Sequence, residues 1–105
     1  MTRAAATVVF QPDHPASRGH FAGNPIIPGA VLLSETLLAL ARVLGPQRMP
    51  IHVSSAKFLR PTRPGDRVVI EYSSGGRGEI RFACAVDGQP VLTGEMSCPN
   101  PPTAP

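Results

Sequence analysis

The sequence predicts an α+β domain in which a curved antiparallel sheet wraps around one central helix. Three observations carry that expectation. A single long helical run lies between Pro28 and Gly45-Pro46, and it is apolar on nearly every side. Extended segments flank it, one before and four after, most of them separated by Gly, Pro, Asp and Ser clusters. A lone apolar helix must bury itself against something, and a sheet folded around it is the economical solution.

The first strand is expected from Ala5 to Phe10, where Thr7, Val8 and Val9 favour extended backbone. A loop from Gln11 to Pro28 follows, rich in Pro, Gly, His and Asn, and a loop of that length is often functional. Pro28 suits a helix N-terminus, where its missing N–H costs nothing. Val31, Leu32, Leu33, Leu37, Leu38, Leu40, Ala41, Val43 and Leu44 then predict a helix buried on most sides. Gly45-Pro46 ends it. Ile51 to Leu59 reads as a long, imperfectly alternating strand, and Pro61 to Asp66 as turn chemistry. Arg67 to Tyr72 is a strand, Ser73 to Gly78 a hairpin loop, and Glu79 to Val86 the next strand. Asp87-Gly88 makes a tight turn into a last strand, Gln89 to Ser97. The strands after the helix are expected to form an antiparallel meander.

With 105 residues the chain holds one domain, expected over 1–98, followed by a disordered Pro-rich tail at 99–105. Its hydrophobic fraction of 42% is ordinary for a globular protein, and a dimer interface would enlarge a modest core. No apolar run approaches the roughly 20 residues of a membrane span. The segment Met1–Phe10 reads as a strand rather than a signal peptide, which leaves the cytoplasm as the expected compartment. Cys84 and Cys98 are expected as free thiols. The net charge of +3 comes almost entirely from scattered arginines, a pattern that argues against nucleic-acid binding. It would still attract an acidic protein or a phosphorylated carrier group. A metal site built from Asp13, His14 and His20 matches no recognised ligand spacing. His14 reads as a turn residue and His52 as a surface or packing residue at the start of a strand.

The candidate site lies in the segment from Gly19 to Leu44. His20 sits between Gly19 and Phe21 in a proline-stiffened loop, and histidine is the usual proton-transfer group near neutral pH. Pro28-Gly29 opens the helix, so backbone N–H groups and the helix dipole can polarise a carbonyl oxygen and stabilise an enolate-like anion. Gly29 would let a substrate approach the backbone closely. His20 could equally cap a turn.

His20-Phe-Ala-Gly-Asn-Pro-Ile-Ile-Pro-Gly29 resembles the His-Phe-Pro-x-x-Pro-x-x-Pro-Gly signature of the 3-hydroxyacyl-(acyl-carrier-protein) dehydratases, which have the hotdog fold. Arg60-Pro-Thr-Arg-Pro-Gly-Asp66 and Val86-Asp-Gly-Gln-Pro-Val91 resemble that family's inter-strand turn and late hairpin. The likeness runs from about residue 6 to 97, and Asp13-His-Pro-Ala16 points to a short, compact branch. The resemblance implies His20 as the base that removes a C2 proton from a 3-hydroxyacyl thioester, and the Gly29 N–H as the holder of the thioester carbonyl. Phe21, Gly23, Pro28 and Ala30 would line the substrate site. An acid on the central helix would protonate the departing hydroxyl, the two catalytic side chains coming from opposite subunits of a dimer. No cofactor is implied. The thioester handle would be an acyl carrier protein or coenzyme A, with Arg60 and Arg63 facing an acidic carrier.

The chain departs from the pattern where the resemblance expects that acid, fourteen residues after the histidine: Ser34 stands there. Serine is no useful acid near neutral pH. Glu35 is adjacent, but one helical step turns its side chain by about 100°. The expectation is therefore a dehydratase of fatty-acid or polyene synthesis, or a dehydratase-like protein with a degenerate acid site. The alternatives are a helper subunit that binds acyl carrier protein, alone or in a heterodimer with another hotdog chain, and a hotdog thioesterase using Glu35 or Asp13. Ala22 in place of the motif's first proline is a minor departure.

Overall fold

The computed structural model describes residues 3–11, 26–44, 52–74 and 78–97. The elements are β1 (Arg3–Val9), α1 (Gly29–Leu44), β2 (His52–Phe58), β3 (Arg67–Ser74), β4 (Glu79–Val86) and β5 (Gln89–Ser97). The five strands form one antiparallel sheet in the order β1-β3-β4-β5-β2. The expected architecture of one helix against a curved antiparallel sheet is present.

Two expectations are corrected. Only β3, β4 and β5 form a meander; β2 crosses to the far edge and pairs with β5, so both edge strands flank that hairpin stack. Alternation tells a strand which face to bury, not which neighbour to take. The helix is not buried on most sides either. Leu32, Thr36, Ala39 and Leu40 are buried, while Ala30, Ser34, Leu38 and Arg42 are exposed. Those four recur every fourth residue, so they form one stripe along the helix. Leu38, half exposed, reads as core in sequence but faces outward here. The boundaries also move slightly: β1 begins at Arg3, and β3 continues to Ser74.

The core is built where the inner face of the sheet meets α1. Val68, Ile70, Ile80, Phe82, Cys84, Leu92 and Met96 project inward from β3, β4 and β5 and pack with Phe10, Leu32, Ala39 and Leu40. Alternation is clean in β3 and β4, where Arg67, Val69 and Glu71, and Glu79, Arg81 and Ala83, are exposed. Each fully buried Leu or Ile contributes about 1.5–3 kcal/mol relative to exposure. Thr36 is the polar exception on the buried helix face. Its hydroxyl donates back to the Leu32 carbonyl at 2.8 Å and lies 3.5 Å from Cys84 Sγ. Burial pushes the Cys84 thiol above its ordinary pKa, and the hydrogen bond to Thr36 offsets part of that.

Two turns fix the frame. Arg63-Pro64-Gly65-Asp66 closes with the Asp66 N–H on the Arg63 carbonyl at 3.0 Å, and Asp66 Oδ2 accepts the Arg63 N–H at 2.8 Å. Gly65 has φ of 92°, which only glycine adopts without strain. The Gly65 N–H donates to the Phe10 carbonyl and the Phe10 N–H to the Asp66 carbonyl, so this turn ties down the end of β1. At the β4–β5 hairpin, Asp87 and Gly88 both have positive φ, 52° and 78°, the geometry of the expected tight turn.

Candidate functional site

The helix N-terminus is set by its own sequence. The Pro28 carbonyl accepts the N–H groups of Val31 at 2.9 Å and Leu32 at 3.1 Å, so Pro28 caps the helix and Gly29 is its first residue. Helix geometry leaves the N–H groups of Gly29 and Ala30 without an intrahelical acceptor. The approach to α1 is pinned from the side. Ile27 forms an antiparallel bridge with Thr62, its N–H donating to the Thr62 carbonyl at 2.6 Å. The turn segment after β2 thus buttresses the residues that open the helix.

An open cavity of about 420 Å³ lies at this junction. Ile26, Ile27, Gly29 and Leu32 line one side of it; Phe58, Leu59, Arg60, Pro61 and Thr62 line the other. The lining is mostly apolar, with the exposed Arg60 among it. Phe58 packs against the helix start. A methyl group on Gly29 would lie 3.0 Å from Phe58 Cε1, so glycine is what allows the ring this close. That ring is half exposed. The other grooves among the described residues lie chiefly on the outer face of the sheet, around the solvated Arg81–Glu95 pair at 3.4 Å.

The sequence-derived residues are distributed unevenly around this cavity. Gly29 and Arg60 line it, and Pro28 caps the helix beside it. Ala30 and Ser34 lie on the exposed stripe of α1, and Glu35 is half-buried one step around the helix. Arg63 is exposed at the turn beyond the cavity. His20, Phe21 and Gly23 lie outside the described residues, as do Asp13, His14, Cys98 and the tail 99–105. Phe58 and Thr62 are site residues that sequence reasoning missed. Both read as ordinary strand and turn positions, and the one signal was the Phe58-Leu59 pair, which breaks the alternation at the end of β2.

A sheet of this order around one helix, with the helix N-terminus opening into an apolar cavity, defines a hotdog-fold protein. The model of the ApeI-like dehydratases matches residues 1–95, and the chain belongs to that family. The 3-hydroxyacyl-(acyl-carrier-protein) dehydratase FabZ of Yersinia pestis is 32% identical over 117 aligned positions, covering 98% of this chain. The chain spans 65% of the length of that relative. Among solved structures, the dehydratase heterocomplex ApeI:P from Xenorhabdus doucetiae superposes with a TM-score of 0.72 at 20% identity, over 90% of this chain and 85% of that one. The fluoroacetyl-CoA thioesterase FlK superposes at 0.62 and 17% identity, over 91% and 84%. Both likenesses establish the fold. Among the described residues, no helix is long and apolar enough to cross a membrane.

Proposed function

We propose that this chain is an acyl-thioester-binding dehydratase subunit, acting on 3-hydroxyacyl thioesters of acyl carrier protein or coenzyme A. The observation that carries this reading is the cavity at the N-terminus of α1. There, Gly29 presents a backbone N–H that the helix cannot use, next to an apolar wall. A thioester carbonyl placed on that N–H is polarised, and the helix dipole stabilises the negative charge that grows on its oxygen. His20 then takes the C2 proton. The C3–O bond breaks, and the hydroxyl leaves as water once an acid protonates it. The product is the 2-enoyl thioester, and the reverse direction is hydration.

The acid is the open position of this mechanism. Ser34 occupies the motif position and lies on the exposed stripe with Ala30 and Leu38. A second hotdog chain packed along that stripe would bring its own residues to the cavity, and in a heterodimer those include a carboxylic acid. Among the described residues β2 is an outer strand of the sheet, with Ala56 and Phe58 exposed on the inner face, and that edge is the surface such a partner would cover. The ApeI:P heterocomplex supports this reading over a self-sufficient homodimer.

The test is hydration of an enoyl thioester by the purified chain, followed by loss of enoyl absorbance, with free thiol measured alongside. On this reading the parent alone is slow and Ser34→Glu gains activity, by roughly 10²-fold or more. His20→Ala in the Ser34→Glu background abolishes the gain. Release of free thiol without hydration would replace dehydration with hydrolysis.

A further inference from the structure

The turn segment that buttresses α1 carries a second unassigned feature. Thr62 is 1% exposed, and its Oγ1 is buried with no hydrogen-bond partner among the described residues. Its carbonyl is occupied by the Ile27 N–H. A hydroxyl sealed from water without a partner is costly, and native structures keep few of them. Valine has the same shape and would remove that cost. Thr62 is moreover a wall residue of the cavity that holds Gly29.

We propose that the Thr62 hydroxyl is a positioning residue for the thioester handle, donating to the amide carbonyl that follows the sulfur in a pantetheine arm. The inference rests on the acyl-thioester reading above and deepens it. Gly29 and Thr62 face the same cavity from the helix and from the turn, and a thioester of this class offers a matching pair of groups. One is the thioester carbonyl; the other is the amide carbonyl a few bonds away, beyond the sulfur. An amide is recognised by a hydroxyl because it satisfies a donor that is otherwise unpaired, and discrimination of that kind is strong. The hydroxyl is reached only when the cavity wall yields to the ligand, and Phe58 is a half-exposed residue of that wall. The same arm is common to acyl carrier protein and coenzyme A, so the contact selects the handle and leaves the acyl group free to vary.

The experiment compares two probes on the full chain by equilibrium titration: crotonyl-N-acetylcysteamine, which keeps the amide, and S-ethyl crotonyl thioester, which lacks it. The parent is expected to bind the first about tenfold more tightly. Thr62→Val removes that preference, while Thr62→Ser retains most of it. Thr62→Val also raises the thermal midpoint of the unliganded protein by about 4 °C or more, because the orphan hydroxyl is gone. A merely structural threonine gives the opposite sign, with loss of stability. If the parent binds both probes and Thr62→Val leaves its preference unchanged, the hydroxyl serves only a buried water and this inference falls alone. If the parent binds neither thioester, the functional reading falls with it.

Discussion

Gly94→Ala tests how tightly the inner face is built next to the site. Ala56, Gly94, Phe82 and Tyr72 stand side by side across β2, β5, β4 and β3. A methyl group on Gly94 would lie 2.8 Å from the Ser55 carbonyl oxygen and 3.0 Å from Phe82 Cε1. Phe82 is 3% exposed, so its ring has little room to retreat, and the Ser55 oxygen belongs to the backbone of β2. Relief therefore requires either a repacked ring or a separation of β5 from β2. Overpacking of this kind costs typically 1–3 kcal/mol. For a domain of about 100 residues, each kcal/mol moves the thermal midpoint by roughly 4–8 °C. The expected result is a fall of about 4–24 °C in a calorimetric or circular-dichroism melt. Gly94→Ala combined with Phe82→Leu should recover part of it, since the smaller side chain yields more easily. A midpoint within about 1 °C of the parent would refute the reasoning. It would mean that Phe82 does not lie over Gly94 and that β2 is held less closely than the register implies.

The remaining predictions concern charge and protonation. Reversing Arg60 and Arg63 to Glu should weaken titrated binding of an acidic carrier protein, with a loss that shrinks as salt rises, while binding of a small neutral thioester stays nearly constant. An unchanged carrier affinity would leave both as solvated surface. Cys84 should resist alkylation in the folded Cys98→Ser protein and react promptly once the chain is unfolded, because its thiol is buried and held neutral. Its raised pKa contributes stability that is complete below the unfolded thiol value of about 8.5. That contribution is lost as pH rises through the folded value. Alkaline melts of Cys84→Ala should lack this component of the decline.

The helix was legible because its ends carry chemistry. Pro28 and Gly45-Pro46 are incompatible with a helix interior, and the described helix begins one residue after the first. The β4–β5 hairpin was legible for the same reason, since Asp87-Gly88 accepts two positive φ values. The placement of β2 was not legible. Its inner-face residues Val53, Ala56 and Phe58 alternate around a bulge between Val53 and Ser55, and nothing local states that their neighbour is β5 rather than β3. Leu38 was misread because an apolar side chain on a helix does not by itself say whether the chain's own core covers it, and here it is half exposed. Thr62 was invisible because an orphan hydroxyl is a property of its surroundings, and its own neighbours, Pro61 and Arg63, say only that the chain turns.

Ser34→Glu is informative because of where Ser34 sits. An acid engineered into a buried helix face would unfold the protein and reveal nothing about catalysis. Ser34 is exposed on the same stripe as Ala30, Leu38 and Arg42, beyond the first helical turn, and glutamate is the better helix former. Glu35 beside it points elsewhere around the helix, so the added charge meets no like charge along the stripe. The substitution should shift the thermal midpoint by no more than about 4 °C, corresponding to roughly 0.5 kcal/mol. Any change in hydration rate is then chemical in origin. A gain in the isolated chain places an acid within reach of the substrate through this stripe. A mixed dimer of the parent chain with the His20→Ala/Ser34→Glu double variant separates the two geometries, because the parent then supplies only the base and the variant only the acid. Activity in the mixture above that of either pure form means that His20 of the parent chain and the acid of the variant act across the interface, since neither chain carries both groups. If every mixture follows the arithmetic of its pure components, base and acid belong to one protomer, and the partner reading of Ser34 is wrong.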